Sequence, residues 1–321
     1  MTVMTEASTP TGPTDPKRPV VDPTSSDRLV RVVRSELFKL RTTSAWWLFT
    51  AAILVSTTVM VVVDCVNAHG LLKPFADFVT LHSHDPGDAV DPGHIAHLKD
   101  EWTLGHSSVT QAVTIYTANQ LIGLLLVCLL GIVLVTTEFA QQTATSTFLI
   151  TPRRGTVLAG KMIAAVLLAV AAWFVATVLS VVAGAIFLHS QGVATHLGEW
   201  SVQRAILLNL AAYLLWAVFG IGFGALIRNQ LVATVSATVL YLIGAAAAGT
   251  LFDLINTYLI SGTWVLGLQV IAPAVASQVM ISPTALFTGS PPQWVGAAVL
   301  IAYSALFVAL GLRMLRRSDI G

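Results

Sequence analysis

Six long apolar runs, almost free of charge, constrain this chain more than any other feature. They are Trp46–Val63, Ala118–Thr137, Lys161–Leu188, Ala205–Ile227, Leu231–Leu251 and Trp294–Leu312. A helix needs about 20 apolar residues to cross the hydrocarbon core of a bilayer. In lipid every backbone N–H and C=O must be satisfied within the segment, and a helix does that by itself. Charged residues make up 10% of the chain and hydrophobic residues 55%, where a soluble domain carries roughly 25% charge. The expected fold is an all-α membrane protein with six transmembrane helices. The third run is long for a single crossing, so it is expected to tilt or project.

The segments between the runs divide the chain. Residues 1–26 are rich in Pro, Thr, Ser and Asp and lack the apolar h-region of a signal peptide. Too little apolar surface is present there to order the segment, so it reads as a disordered tail. Residues 27–321 read as one transmembrane domain. Within it, Asp27–Ser44 repeats Leu29, Val33, Leu37 and Leu40 at helical spacing, with Arg31, Arg34, Lys39 and Arg41 mostly elsewhere around the wheel. That pattern predicts an amphipathic interfacial helix. Trp46 and Trp47 follow it, as in an aromatic belt.

The region 252–293 is apolar but broken by Pro273, Pro283, Pro291 and Pro292. Charge parity decides how to read it. With six crossings, both termini share a side with the second and fourth loops. That side collects Lys17, Arg18, Arg28, Arg31, Arg34, Lys39, Arg41, Arg153, Arg154, Lys161, Arg228, Arg313, Arg316 and Arg317. The opposite side holds only Lys73, Lys99 and Arg204. Cationic loops stay in the cytoplasm. Both termini are therefore expected in the cytoplasm, and 252–293 is expected to be a re-entrant or surface-lying helical pair on the outside. Irregular backbone at membrane depth is tolerated only against protein or water, so the pair should pack on a neighbouring helix or a second subunit.

Several motifs invite chemistry and do not support it. Gly155–Lys161 spells G-x-x-x-x-G-K, the opening of a phosphate-binding loop. Met162 follows where Ser or Thr would ligate Mg²⁺, and no buried strand precedes it. The extracytoplasmic loop 64–117 holds six of the eight histidines, including His82, His84, His94 and His97 beside Asp85. No H-E-x-x-H occurs, and the loop reads as a solvated cap with no assigned metal. Cys65 and Cys128 form no ligand pattern. No catalytic triad or G-x-S-x-G is present. Ionisable residues are nearly absent from the runs, which argues against an ion-coupled transporter. Asn119, Gln120, Thr234, Thr238 and Tyr241 remain as candidate pathway or dimer-contact residues. The small residues of Gly220-Ile221-Gly222-Phe223-Gly224 predict close helix packing.

The segment 138–160 carries an acid, a Thr-rich stretch and the turn Pro152-Arg153-Arg154, then steps through Gly160-Lys161 into the third run. With Arg34-Ser35-Glu36-Leu37-Phe38-Lys39-Leu40-Arg41 before the first run, the GALIRNQ turn at Gly224–Gln230 and the basic ending Arg316-Arg317-Ser318-Asp319, it resembles the permease subunit of ABC-2-type (type V exporter-like) ABC transporters. Gln142 stands where that family usually has Gly, and loop 64–117 is longer and richer in His. The resemblance implies a multi-pass, dimeric exporter subunit of the cell membrane. It would lack its own ATPase and pair with two copies of a separate ATPase, which hold ATP and Mg, and with a second permease. Membrane lipids surround it, and nucleic acid is not an expected partner. Glu36, Lys39, Glu138, Phe139, Gln142, Thr143, Phe148, Arg153 and Arg154 would be the ATPase-coupling residues: a cytoplasmic coupling helix, Glu138–Thr151, would dock in a groove of the ATPase, and the Asp27–Ser44 helix would brace the same partner. The dimer contact would fall to the second and fifth spans. The cargo would be a drug, lipid or peptide. A membrane sensor or scaffold, or a metal-dependent enzyme using the His/Asp loop, are the other readings.

Overall fold

The computed structural model describes residues 25–42, 45–82, 91–140, 154–227, 229–260 and 262–317. The described residues are mostly helical, with no strand among them. α1 spans Ser25–Thr42, α2 Ala45–Leu71, α3 Phe75–His82, α4 Pro92–Gly105, α5 Ser108–Tyr116 and α6 Gln120–Ala140. α7 spans Arg154–Ser190, α8 Trp200–Leu226 and α9 Gln230–Tyr258. A short α10 (Thr263–Gly267) leads through a 3-10 turn into α11 (Pro273–Ile281), and α12 (Gln293–Arg317) ends the bundle. Six helical stretches are long and apolar enough to cross a membrane, one for each run in the sequence.

Several boundaries shift from the sequence reading. The first span runs on to Leu71, and α5 leads into α6 through a tight turn, so the second begins near Ser108. Much of loop 64–117 is therefore helix. Its α4 is capped by Asp91, whose carboxylate accepts from the Gly93 and His94 amides. At 37 residues, α7 reaches about 55 Å at 1.5 Å per residue. That length exceeds a hydrocarbon core of roughly 30 Å.

α8 is the centre of the bundle, packing on α6, α7, α11 and α12. Its glycines explain how. Gly220 and Gly224 lie one turn apart and face α6. A Cβ on Gly220 would strike the Cys128 carbonyl oxygen, and one on Gly224 would sit 3.0 Å from Ile132 Cα. Gly222 faces the other way, where a Cβ would lie 2.6 Å from the Phe307 backbone of α12. On α6, a Cβ on Gly131 would lie 2.8 Å from the Ala217 carbonyl. Backbones therefore touch on both sides of α8, the close approach that small residues permit between helices in lipid.

The arms Thr263–Ile271 and Pro273–Ile281 meet at a bend of 108°. Each arm rises about 14 Å at the helical repeat, too short to cross alone. α11 is buried along nearly its whole length, against α8 and α12 of the same chain. The Trp216 indole N–H donates to Ser277 Oγ at 2.8 Å, and Gln120 Nε2 donates to the Ser277 carbonyl at 2.7 Å. The expected packing partner of this segment is thus a neighbouring helix of its own bundle.

Candidate functional site

The charges at the base of the bundle converge on one contact. Lys161 and Glu36 are each 3% exposed, although 125 residues separate them. Lys161 Nζ donates to Glu36 Oε2 at 2.8 Å and to the Leu134 carbonyl of α6 at 3.0 Å. Lys39, one turn along α1 and half exposed, donates to the other carboxylate oxygen at 2.9 Å. One ammonium therefore ties α1, α6 and α7 together. Burial alone would raise the Glu36 carboxyl. The Lys161 charge, with hydrogen bonds from Lys161 and Lys39, outweighs that and holds it below the ordinary glutamate value of 4.5.

Local packing brings the pair together. Gly160 lets α1 lie directly on α7, because a Cβ there would collide with Val32 Cγ1. Gly155–Lys161 is helix, part of the first turns of α7. The glycine and lysine of the apparent phosphate loop serve packing and ion pairing. The sequence reading gave Glu36 to a partner subunit. Here its carboxylate faces inward, and it is the one buried residue among the described side chains of α1. The Lys161 partner pulls that face toward the bundle. Sequence reasoning placed Lys161 only at the membrane–water boundary. A signal was present: Glu36 is the sole acid of α1 beyond Asp27, and Lys161 is the sole Lys or Arg between residues 155 and 203.

The other expected site residues scatter. Glu138 and Phe139 fall on the last turn of α6, and Arg154 begins α7. Gln142, Thr143, Phe148 and Arg153 lie outside the described residues, as does most of the expected coupling helix. Asn119, Gln120 and Tyr241 are buried within the chain. Tyr241 stacks edge-on against Trp216, with ring centroids 4.8 Å apart. The Tyr213 hydroxyl donates to the Asn119 carbonyl at 3.3 Å, while neither polar atom of the Asn119 side chain has a hydrogen-bond partner. Thr234 and Thr238 turn their hydroxyls back to the carbonyls of Gln230 and Thr234. Buried inside one chain, Asn119, Gln120 and Tyr241 cannot meet a second copy without rearrangement. In the second span 67% of the most apolar window is buried, against 17% in the fifth. The second span thus leaves little face for another subunit, and the fifth leaves most of one.

Among the described residues, no group of three or more His, Cys, Asp or Glu side chains is arranged to hold a metal ion. His106 stacks on Trp102 with centroids 4.3 Å apart, and His82 Nδ1 lies 2.9 Å from the Phe78 carbonyl. These contacts belong to helix ends in a small cap. No protein-family model matches the chain, and no curated protein matches its sequence.

Proposed function

We propose that this chain is the membrane-spanning subunit of an ABC-2-type transporter, exporting a hydrophobic or amphiphilic compound with ATP hydrolysed by a separate partner. The carrying observation is the buried contact of Glu36 and Lys161 with the Leu134 carbonyl. It makes α1 a rigid extension of the roots of the second and third spans. A partner that pushes on α1, or on the segment joining α6 to α7, moves both spans together. Packed interfaces respond to such a push by switching between arrangements. In this reading α1 lies at the cytoplasmic interface of the cell membrane, both termini are cytoplasmic, and the α10–α11 pair is a re-entrant lid outside. The partners are two ATPase subunits and a second permease, met chiefly through the open face of α9.

Purification of the full chain from its native membrane tests this. An ATP-hydrolysing subunit should co-purify, and amphiphiles should stimulate its turnover. Transport by the chain alone, driven by an ion gradient, would overturn the reading. Periplasmic or extracellular labelling of a cysteine placed at Leu104 but not at Arg313 would support the orientation, and the reverse pattern would invert it.

A further inference from the structure

At the end of the bundle remote from α1, a cleft of about 290 Å³ opens between α2, the α5–α6 turn and the end of α11. Gln120, at this cleft, and Leu134, at the Lys161 contact, lie about 21 Å apart along α6 by helical rise. Asp64 of α2 supplies the cleft's only charged side chain among the described residues. It is half-buried, and no hydrogen bond or ion pair reaches its carboxylate among the described residues. Thr110, Thr114, Gln278 and Ser282 also line the cleft, the Thr114 and Ser282 hydroxyls donating to the Thr110 and Thr284 carbonyls. The Thr110 hydroxyl oxygen is itself buried without a hydrogen-bond partner. Leu121, Ile281 and Leu286 make the rest of the wall apolar.

A half-buried carboxylate without a counter-charge is unfavourable as an anion, and either a proton or a cation at its side relieves it. The rest of the lining defines the compensation. One carboxylate and scattered hydroxyls do not make the multi-oxygen cage that a hard divalent ion takes. The volume lies at the small end of ligand pockets, enough for a head group with a short apolar body. We propose that this cleft binds an organic monocation with an apolar flank, with Asp64 as its counter-ion. The binding stands on the cleft alone. Its description as a cargo site rests on the transport reading.

Equilibrium binding to the purified full chain in lipid nanodiscs tests it, with no ATPase present. The probe is benzyltrimethylammonium, set against neopentylbenzene, its neutral isostere. The cation should bind saturably, and Asp64→Asn should weaken it about tenfold or more, as loss of a partly desolvated charge pair does. Leu286→Trp, which narrows the cleft and leaves Asp64 in place, should abolish it. Absence of saturable binding, equal affinity of Asp64→Asn, or equal affinity of the neutral isostere would each overturn the proposal. So would complete displacement by millimolar Na⁺ or Ca²⁺, which would make the site one for an inorganic ion. None of these failures would touch the transport reading, which depends on the partner and not on this cleft.

Discussion

The two ends of the bundle treat a buried acid in opposite ways. At one end Glu36 is fully enclosed, and both oxygens are taken by lysines. At the other, Asp64 is half enclosed beside open space and has no cation against it among the described residues. A satisfied buried pair fixes the elements that contribute to it. An unsatisfied acid in a cleft leaves an electrostatic demand that the chain does not meet. The first arrangement suits a mechanical joint and the second a place for something that comes and goes.

The largest test of this contrast is Lys161→Met. It leaves the buried Glu36 carboxylate with the half-exposed Lys39 as its remaining cation and should destabilise the chain by about 3 kcal/mol, read as thermal unfolding in nanodiscs. The double variant Glu36→Met with Lys161→Met should recover most of that loss. A single variant as stable as the parent would show that the joint does not hold. The same contact should also be sensitive to acid. The Glu36 carboxyl is held below 4.5 in the folded chain, so its contribution is complete above that pH. It is lost as pH falls below 4.5 through the folded value. The gap in unfolding temperature between the parent and Glu36→Gln should stay constant above pH 5 and close in stronger acid. A gap that instead closes toward neutral pH would contradict the assignment.

Next in size is Gly220→Ala, which sets a methyl group against the Cys128 carbonyl and should remove about 2 kcal/mol by overpacking. Trp216→Phe deletes the donor to Ser277 Oγ and should remove about 1 kcal/mol. The smallest effect belongs to Asp64→Asn. With no partner to lose among the described residues, stability should stay within about 0.5 kcal/mol of the parent or rise. A large loss there would mean that Asp64 is structural, and the contrast between the two ends would disappear.

The six spans were legible because hydropathy is a local property, summed over one window at a time. The glycine run was legible for the same reason, though not that Gly222 faces α12 while its neighbours face α6. Glu36 and Lys161 were each visible, but their meeting depends on Gly160 letting α1 lie against α7. That is a tertiary fact with no window of its own. The cleft was harder still. Asp64, Thr110 and Gln278 come from three distant segments, and each alone looks like an ordinary polar residue near a span end. Asn119 and Tyr241 were singled out for being polar within apolar runs. The signal was real, but burial inside one chain explains it first.

The central position of α8 also bears on how the chain is made. Spans leave the ribosome in order, and α8 is the fourth. Until Leu226 has been synthesised, α6 packs only on α2 and α7 and lacks its largest partner. Gly131 and Gln120, which will meet Ala217 and Ser277, face lipid or loosely held neighbours while they wait. The first three spans are thus a provisional assembly, and the fourth turns them into a core. Nascent chains that stall or misfit at this step present an open, polar-flecked helix to the membrane's proteases. A substitution in the glycine faces of α8 should therefore be felt first as fewer molecules reaching maturity, and only afterwards in what the surviving ones do.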